Sequence, residues 1–465
     1  MKFFLFLIIS FFSIQIVTTQ VFDVEAIEVT GDNDKRINLV IMGDGYQTTE
    51  FPKFITDASS FTNEMFTQSP FIEYANYFNV YAIKVPSNQS GADHPGTATD
   101  PNVTEPVFPI ADVDTYFNTS FDTNNIHRLL YTFSSSIIYN TLANYLPEYD
   151  QPIILVNTSQ FGGAGGAYAV SYTGSSANET IIHELGHSLF NLRDEYYAGD
   201  QFAREGINMT QETNTSLVKW KNWLNTNGVG IYPYGNNGTA ATWFRPHQNC
   251  KMRYLNAPFC SVCKEAIIEK IHSLVSPIDA YTPTSNTLDN SSFPINFALS
   301  LIKPIPNTLE SEWTLNVSSF GSNVDDIAIQ ESDLIVGINT LTAAITDATS
   351  FLKVDNHDSF HVYTVTWTID NTTLGIEDIT TETNTLNISM FPNPTNDFVN
   401  FKLESEKVAN LKLEIIALDG KKIRTEPLSN FETYQLDISS LNSGIYITNF
   451  YSNNVLIASK KLVKN

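Results

Sequence analysis

His183-Glu184-Leu185-Gly186-His187-Ser188-Leu189-Phe190-Asn191-Leu192-Arg193-Asp194-Glu195 is the stretch on which the reading of this 465-residue chain turns. Just before it, Ser176-Ala177-Asn178-Glu179 has the capping-box pattern and predicts a helix from about residue 177. On that helix Ile182, Leu185 and Leu189 form one apolar stripe for burial. His183 and His187, four residues apart, stand one above the other on a single face, about 6 Å apart. Both imidazoles can then reach one Zn2+ at about 2.0–2.1 Å. Glu184 lies beside them, suited to take a proton from a metal-activated water rather than to bind the metal. Gly186, without a side chain, lets the helix approach a neighbouring element closely.

The segment just beyond the helix supplies the third ligand. Asn191 tolerates the left-handed conformation that ends helices, and a chain reversing there returns Asp194 to the metal. Two histidines, one aspartate and an open position for water make a catalytic zinc site. The metzincin spacing H-E-x-x-H-x-x-G-x-x-[HD] would put the third ligand at Arg193, which cannot serve, so one extra residue precedes the turn. Asp194 is the expected ligand, Glu195 the alternative, and a more distant Glu205 or Glu212 a further one. Downstream, Cys250-Lys251-Met252-Arg253-Tyr254 offers Met252 as the methionine of a Met-turn beneath the metal, and Tyr254 as a stabiliser of the oxyanion.

The three cysteines, Cys250, Cys260 and Cys263, all fall in one short segment. One disulfide with one thiol left over is the preferred reading for an exported chain. A Cys3His metal site completed by His247 is the other. Residues 1–20, with Lys2 ahead of a short apolar run, read as a secretory signal peptide. No later stretch reaches about 18 apolar residues, so no transmembrane span is expected in the mature chain. Fifty acidic residues against 26 basic ones give a net charge of −24, which argues against nucleic acid as a partner.

Around the zinc helix the pattern is α/β. Ile37–Met42 reads as a buried strand, Thr48 or Thr49 as the cap of a helix through Phe66, and Tyr77–Val85 and Pro152–Val156 as further strands. The glycine run Gly162–Gly166 lacks the Gly-Lys-[Ser/Thr] of a phosphate loop. It reads as a place for close backbone approach, with Ala167–Ser171 as an edge strand for substrate. Asp44 and Asp93 cap turns or, alternatively, bind Ca2+. From about residue 283 short alternating strands predict Ig-like β-sandwiches: Pro294–Leu301, Glu312–Val317, Leu334–Ile338 and Val362–Ile369. After a polar linker, Thr380–Asn384, come Leu411–Ile416, Tyr434–Ile438 and Ile445–Tyr451. The expected division is a signal peptide at 1–20, a metallopeptidase domain at 21–280, a β-sandwich at 283–380 and a further all-β unit at 386–465.

Residues 35–275 resemble the IgA-peptidase family of metzincin-type metallopeptidases. The resemblance rests on Val40-Ile-Met-Gly-Asp-Gly-Tyr46, Tyr77-Phe-Asn-Val-Tyr81, Ser90-Gly-Ala-Asp93, Phe161-Gly-Gly163, His183 through Tyr197, Lys219-Trp220 and the Cys250–Cys263 segment. It implies a metzincin-like α/β domain with zinc on His183, His187 and Asp194 and with Glu184 as the base. Asn191 stands where similar chains often carry Gly. The C-terminal unit resembles the type IX secretion sorting domain through Phe391-Pro-Asn-Pro394, Asp397, Leu418-Asp-Gly420, Leu441-Asn-Ser-Gly-Ile-Tyr446 and Lys460-Lys461. That resemblance implies the type IX machinery as partner and a secreted or cell-surface location. The expected activity is zinc-dependent endoproteolysis of extracellular proteins or glycoproteins. The alternative is a surface adhesin or glycan-binding protein with a vestigial zinc site.

Overall fold

The computed structural model describes residues 21–99, 110–289, 292–372, 387–404, 410–418, 420–428, 433–453 and 455–465. The expected signal peptide at 1–20 and linker at 380–384 lie outside them. The chain divides into two compact units, one through Thr373 and one from Leu374.

The first unit is organised by a mixed six-stranded sheet. Its strands are β1 (Asp23–Glu28), β2 (Ile37–Asp44), β3 (Phe78–Lys84), β4 (Gln151–Val156), β5 (Gly163–Gly165) and β6 (Ala169–Ser171), in the spatial order β1-β3-β2-β4-β6-β5. Strands β3, β2, β4 and β6 run parallel, while β1 and β5 close the two edges antiparallel. Strand β2 is buried along its whole length, as a central parallel strand covered on both faces must be. Its alternate residues Ile37, Leu39 and Ile41 face one core, shared with Phe54 and Phe61 of α1 (Phe51–Met65). Ile182 and Leu185 of α3 (Ala177–Ser188) and Ile267 and Ile271 of α4 (Ser261–Leu274) complete that core. Val40 and Met42 face the other, with Ile138 and Leu142 of α2 (Ser135–Tyr145).

Three local expectations are corrected. Helix α1 is entered through a 3-10 turn whose capping box is Gln47 with Glu50, not Thr48 or Thr49. Ser176 does precede α3, but its side chain makes no cap bond, and Glu179, the other half of the expected box, is drawn away to Lys251 and Gln68. Finally, β6 is interior, and the glycine strand β5 is itself the edge. The Asp44 carboxylate is fully buried and accepts hydrogen bonds from Thr115 and Thr119 hydroxyls and the Phe117 and Thr119 amides, while Asp93 accepts from the Val113 amide. Donors on these oxygens favour the turn role over a calcium site.

Beyond α4 a sandwich forms. Its five-stranded sheet orders Thr287–Asp289, Tyr363–Asn371, Gly337–Asp347, Leu309–Leu315 and Ser318–Ser322, and a three-stranded sheet holds Asp326–Ile329, Ile295–Leu301 and Ile278–Thr282. Trp313 and Trp367 stack between them, with centroids 5.9 Å apart. The predicted strand Leu334–Ile338 is replaced by the longer Gly337–Asp347, whose inward positions alternate with polar ones. This sandwich is welded to the α/β region. Asp347, almost fully buried, accepts from Tyr74 Oη at 2.6 Å, His272 Nε2 at 3.0 Å and Thr308 Oγ1 at 2.7 Å, and Glu269 of α4 pairs with His357 and His361.

The second unit carries a three-stranded sheet (Asn387–Phe391, Phe398–Glu404, Thr433–Asp437) and a four-stranded one (Lys422–Leu428, Leu411–Ala417, Gly444–Ser452, Val455–Lys464). Phe401, Leu413, Leu436 and Phe450 fill its core.

The buried Asp347 carboxylate sets an acid limit. Burial opposes its charge, but the hydrogen bonds from His272, Thr308 and Tyr74 win, so its pKa falls below the ordinary 3.8. A depressed folded pKa contributes stability that is present above the unfolded value and lost as pH falls through the folded one. Asp347→Ala should therefore lower unfolding stability at neutral pH by about 1–3 kcal/mol, the cost of leaving buried donors unpaired. It should also flatten the decline below pH 4, as denaturant melts across pH would read.

Candidate metal centre and active site

Helix α3 ends as its sequence foreshadows. Asn191 adopts φ +56°, and the Leu192 amide reaches back to the Gly186 carbonyl at 2.8 Å, closing a Schellman-type turn. The reversal carries Asp194 under the two histidines. Its Oδ1 lies 3.0 Å from His183 Nε2 and 3.1 Å from His187 Nε2. Two atoms bound to one tetrahedral ion at about 2 Å would sit about 3.3 Å apart, so the three side chains converge at ligand spacing.

The outer nitrogens fix the tautomers. His183 Nδ1 donates to the Lys251 carbonyl at 3.0 Å, and His187 Nδ1 donates to the Leu192 carbonyl at 2.8 Å. A carbonyl can only accept, so each neutral ring turns a lone pair on Nε2 toward Asp194. Three acceptors facing one point call for positive charge there. The titration behaviour agrees. Burial works against imidazolium, yet Asp194 and Glu184 raise both histidines, His187 to about 9. Burial likewise opposes the Asp194 anion, but His187 and His183 hold its carboxyl well below the usual range. A dication on these donors satisfies the same demand, so the residues fit a zinc ion.

Glu184 lies on the other side of the helix edge, against β5. A Cβ at Gly165 would stand 3.0 Å from Glu184 Oε2 and 2.8 Å from the Glu184 carbonyl, and one at Gly163 3.4 Å from Glu184 Oε1. The glycines thus let the edge strand touch helix α3. Burial raises the Glu184 pKa, only partly offset by the two histidines. Beneath the helix, a Cβ at Gly186 would meet Met252 Sδ at 2.6 Å, so Met252, fully buried, packs directly against the helix at that glycine.

Other expectations fare differently. Glu195 turns away from the histidines into a buried position beside Cys263. Glu205 is engaged by Lys219 and Thr210, and Glu212 by the Asn214 amide, so neither joins the cluster. Tyr254 is half exposed, with the Arg253 guanidinium 4.9 Å from its ring centre. Tyr196 was overlooked: its ring lies 6.4 Å from that of His183, and burial together with the Asp194 charge raises its phenol. Its position just after the acidic pair was the available signal. The cysteines form no disulfide, and His247 is half-buried with both ring nitrogens on backbone carbonyls of Asn249 and Asn227.

Residues 25–234 match the family described as IgA Peptidase M64. This region is similar to the M64 peptidases. M64 peptidases are metallopeptidases, and the M64 match spans β1 through the helix bearing His183 and His187. Residues 389–465 match the secretion system C-terminal sorting domain, which marks the protein as secreted or displayed at the cell surface through the type IX machinery. No helix among the described residues is long and apolar enough to cross a membrane. No curated protein matches the chain. Among solved structures, dimeric latent PorU from Porphyromonas gingivalis is 13% identical over 40% of this chain and 20% of its own, with a TM-score of 0.17. Fibronectin(III)-like modules of Clostridium thermocellum CbhA are 10% identical over 40% of this chain and 93% of theirs, with a TM-score of 0.14. This chain spans only a fifth of the PorU chain's length.

The contact of β5 with α3 gives a test. Gly165→Ala would drive a methyl group into backbone and into the His187 Cβ. The expected cost is about 1–3 kcal/mol of stability, typical of overpacking, with a loss of peptidase activity in parallel. Thermal melts and cleavage assays of the same preparation would read both.

Proposed function

We propose that this chain is a secreted zinc-dependent endopeptidase, with residues 21–280 as its catalytic domain, 283–380 as an accessory sandwich and 386–465 as the export signal. The observation that carries the reading is the convergence of His183, His187 and Asp194 beside the Glu184 carboxylate. The M64 match to the same helix supports it. A complete donor set with its supporting carbonyls leaves the adhesin reading with less in its favour.

His183, His187 and Asp194 would hold the zinc ion, which when bound would supply Lewis acidity to the site. Glu184 accepts the proton as water attacks the peptide carbonyl, and then delivers it to the leaving amine. The Arg128 carbonyl already takes the Gly163 amide, so it is the Gly165 end of edge strand β5 that pairs with an extended substrate backbone, its glycine keeping the strand clear of side chains. Two phenols compete to stabilise the oxyanion: Tyr254, the candidate from sequence, and Tyr196, which neighbours His183 and Asp194. Extracellular proteins or glycoproteins are the substrate class, as the exported location requires.

Glu184→Ala is expected to keep its zinc by elemental analysis while cleavage of an unfolded protein falls by about 10²–10⁴-fold. Asp194→Ala should lose both, and a chelator should abolish wild-type cleavage. Full activity in Glu184→Ala, with contaminating protease excluded, would falsify the assignment of the base. Tyr196→Phe should lower kcat by about 10²-fold at nearly constant KM, the usual worth of one oxyanion donor, with Tyr254→Phe close to wild type.

A further inference from the structure

Behind the histidine cluster lies a second convergence that the peptidase chemistry does not use. Cys250, Cys260, Cys263 and Glu195 are all buried, and their ligand atoms lie within 4.8 Å of one another. Cys250 Sγ is 3.6 Å from Cys263 Sγ, and Cys263 Sγ is 3.4 Å from Glu195 Oε1. Sulfur atoms on a tetrahedral ion with bonds of about 2.3 Å stand about 3.8 Å apart, and a sulfur and an oxygen on it about 3.5 Å. A disulfide would need about 2.05 Å. It would also leave one thiol and a carboxylate stranded in the core.

Glu195 is the independent sign. It is completely buried, Asn208 donates to its Oε1 at 3.0 Å, and its Oε2 has no hydrogen-bond partner among the described residues. An orphaned carboxylate oxygen in a dry interior is costly unless a cation or a proton takes it. The surroundings suit a thiolate site, since the Cys260 amide donates to Cys250 Sγ at 3.4 Å. Three thiolates and one carboxylate carry the same formal charge as the all-cysteine sites that hold structural zinc.

We infer that Cys250, Cys260, Cys263 and Glu195 form a closed structural site for a thiophilic divalent cation, with Zn2+ the expected occupant. Binding converts the three thiols to thiolates, and their protons pass to solvent. The site joins three pieces of chain: the strap with Asp194 and Glu195, the loop of Met252, and the first turn of α4. Glu195 also donates its amide to the Met252 carbonyl at 2.7 Å, so the ion would lock the strap that carries Asp194 onto the floor of the active site. The site stands independently of the hydrolase reading, because none of its donors belongs to the histidine cluster.

Full-length protein, prepared with zinc and without added reductant, should hold two zinc ions per chain by elemental analysis. The His183→Ala/His187→Ala variant should hold one. Thiol titration should find three reactive thiols, and only after denaturation with chelator. Cobalt-loaded wild-type protein should show a thiolate-to-cobalt charge-transfer band, which the histidine cluster cannot produce, so this readout needs no substitution. A single zinc that survives loss of the histidines would uphold this site and sink the catalytic zinc instead. One reactive thiol after denaturation would mean a disulfide. Three thiols without any charge-transfer band would mean a bare thiol cluster, and either result overturns the inference.

Discussion

Two hydrogen bonds from imidazole to backbone govern the active region. His183 Nδ1 is held by the Lys251 carbonyl and His187 Nδ1 by that of Leu192. Because a carbonyl only accepts, these bonds choose the tautomer of each ring and point both Nε2 lone pairs at the same place. They also make the histidines depend on the turn that ends their helix and on a loop far along the chain. Leu192 reaches its station only through the left-handed Asn191, and Lys251 only through the loop of Met252 and its buried ammonium paired with Glu179. The site is thus a meeting of one helix with the two segments that support it.

Close approach is the second constraint. Glycine occurs where α3 meets its neighbours: Gly186 over Met252, Gly165 and Gly163 against the Glu184 carboxylate. At each a Cβ would fall at or inside contact distance, so the pattern records how tightly the edge strand, helix α3 and Met252 are stacked. The same tightness recurs at the seam with the sandwich, where α4 presents Glu269 and His272 to a loop and strand of the following region. Helix α4 also carries Cys263, so one element links the sandwich, the cysteine cluster and the active-site floor.

Much of this was legible in the residues. The spacing of His183 and His187 needed only helical periodicity, and Asn191 announced the turn because few residues tolerate positive φ. Strand β2 was visible as an apolar run interrupted only by Asn38, as suits a strand covered on both faces. Other features were hidden because they depend on partners far along the chain. Ser176 and Glu179 spelled a capping box, yet Lys251 claims the carboxylate. Ala169–Ser171 looked like an edge, yet strand order is a property of pairing, not of composition. Tyr196 lay inside the family motif without a role of its own there, and its proximity to His183 is a product of the turn.

The sequence by itself determined the reactive kit: two imidazoles on one helix face, a carboxylate beside them, and an aspartate just beyond a left-handed turn. These are local facts, set by 3.6-residue periodicity and the conformational preferences of single residues. Only the tertiary structure decided how the adjacent acids divide their labour. Asp194 turns to the histidines while Glu195, one residue on, turns to Cys250, Cys260 and Cys263. Neighbouring side chains on an extended strap point to opposite sides, and what each side holds depends on segments that only the folded chain brings there.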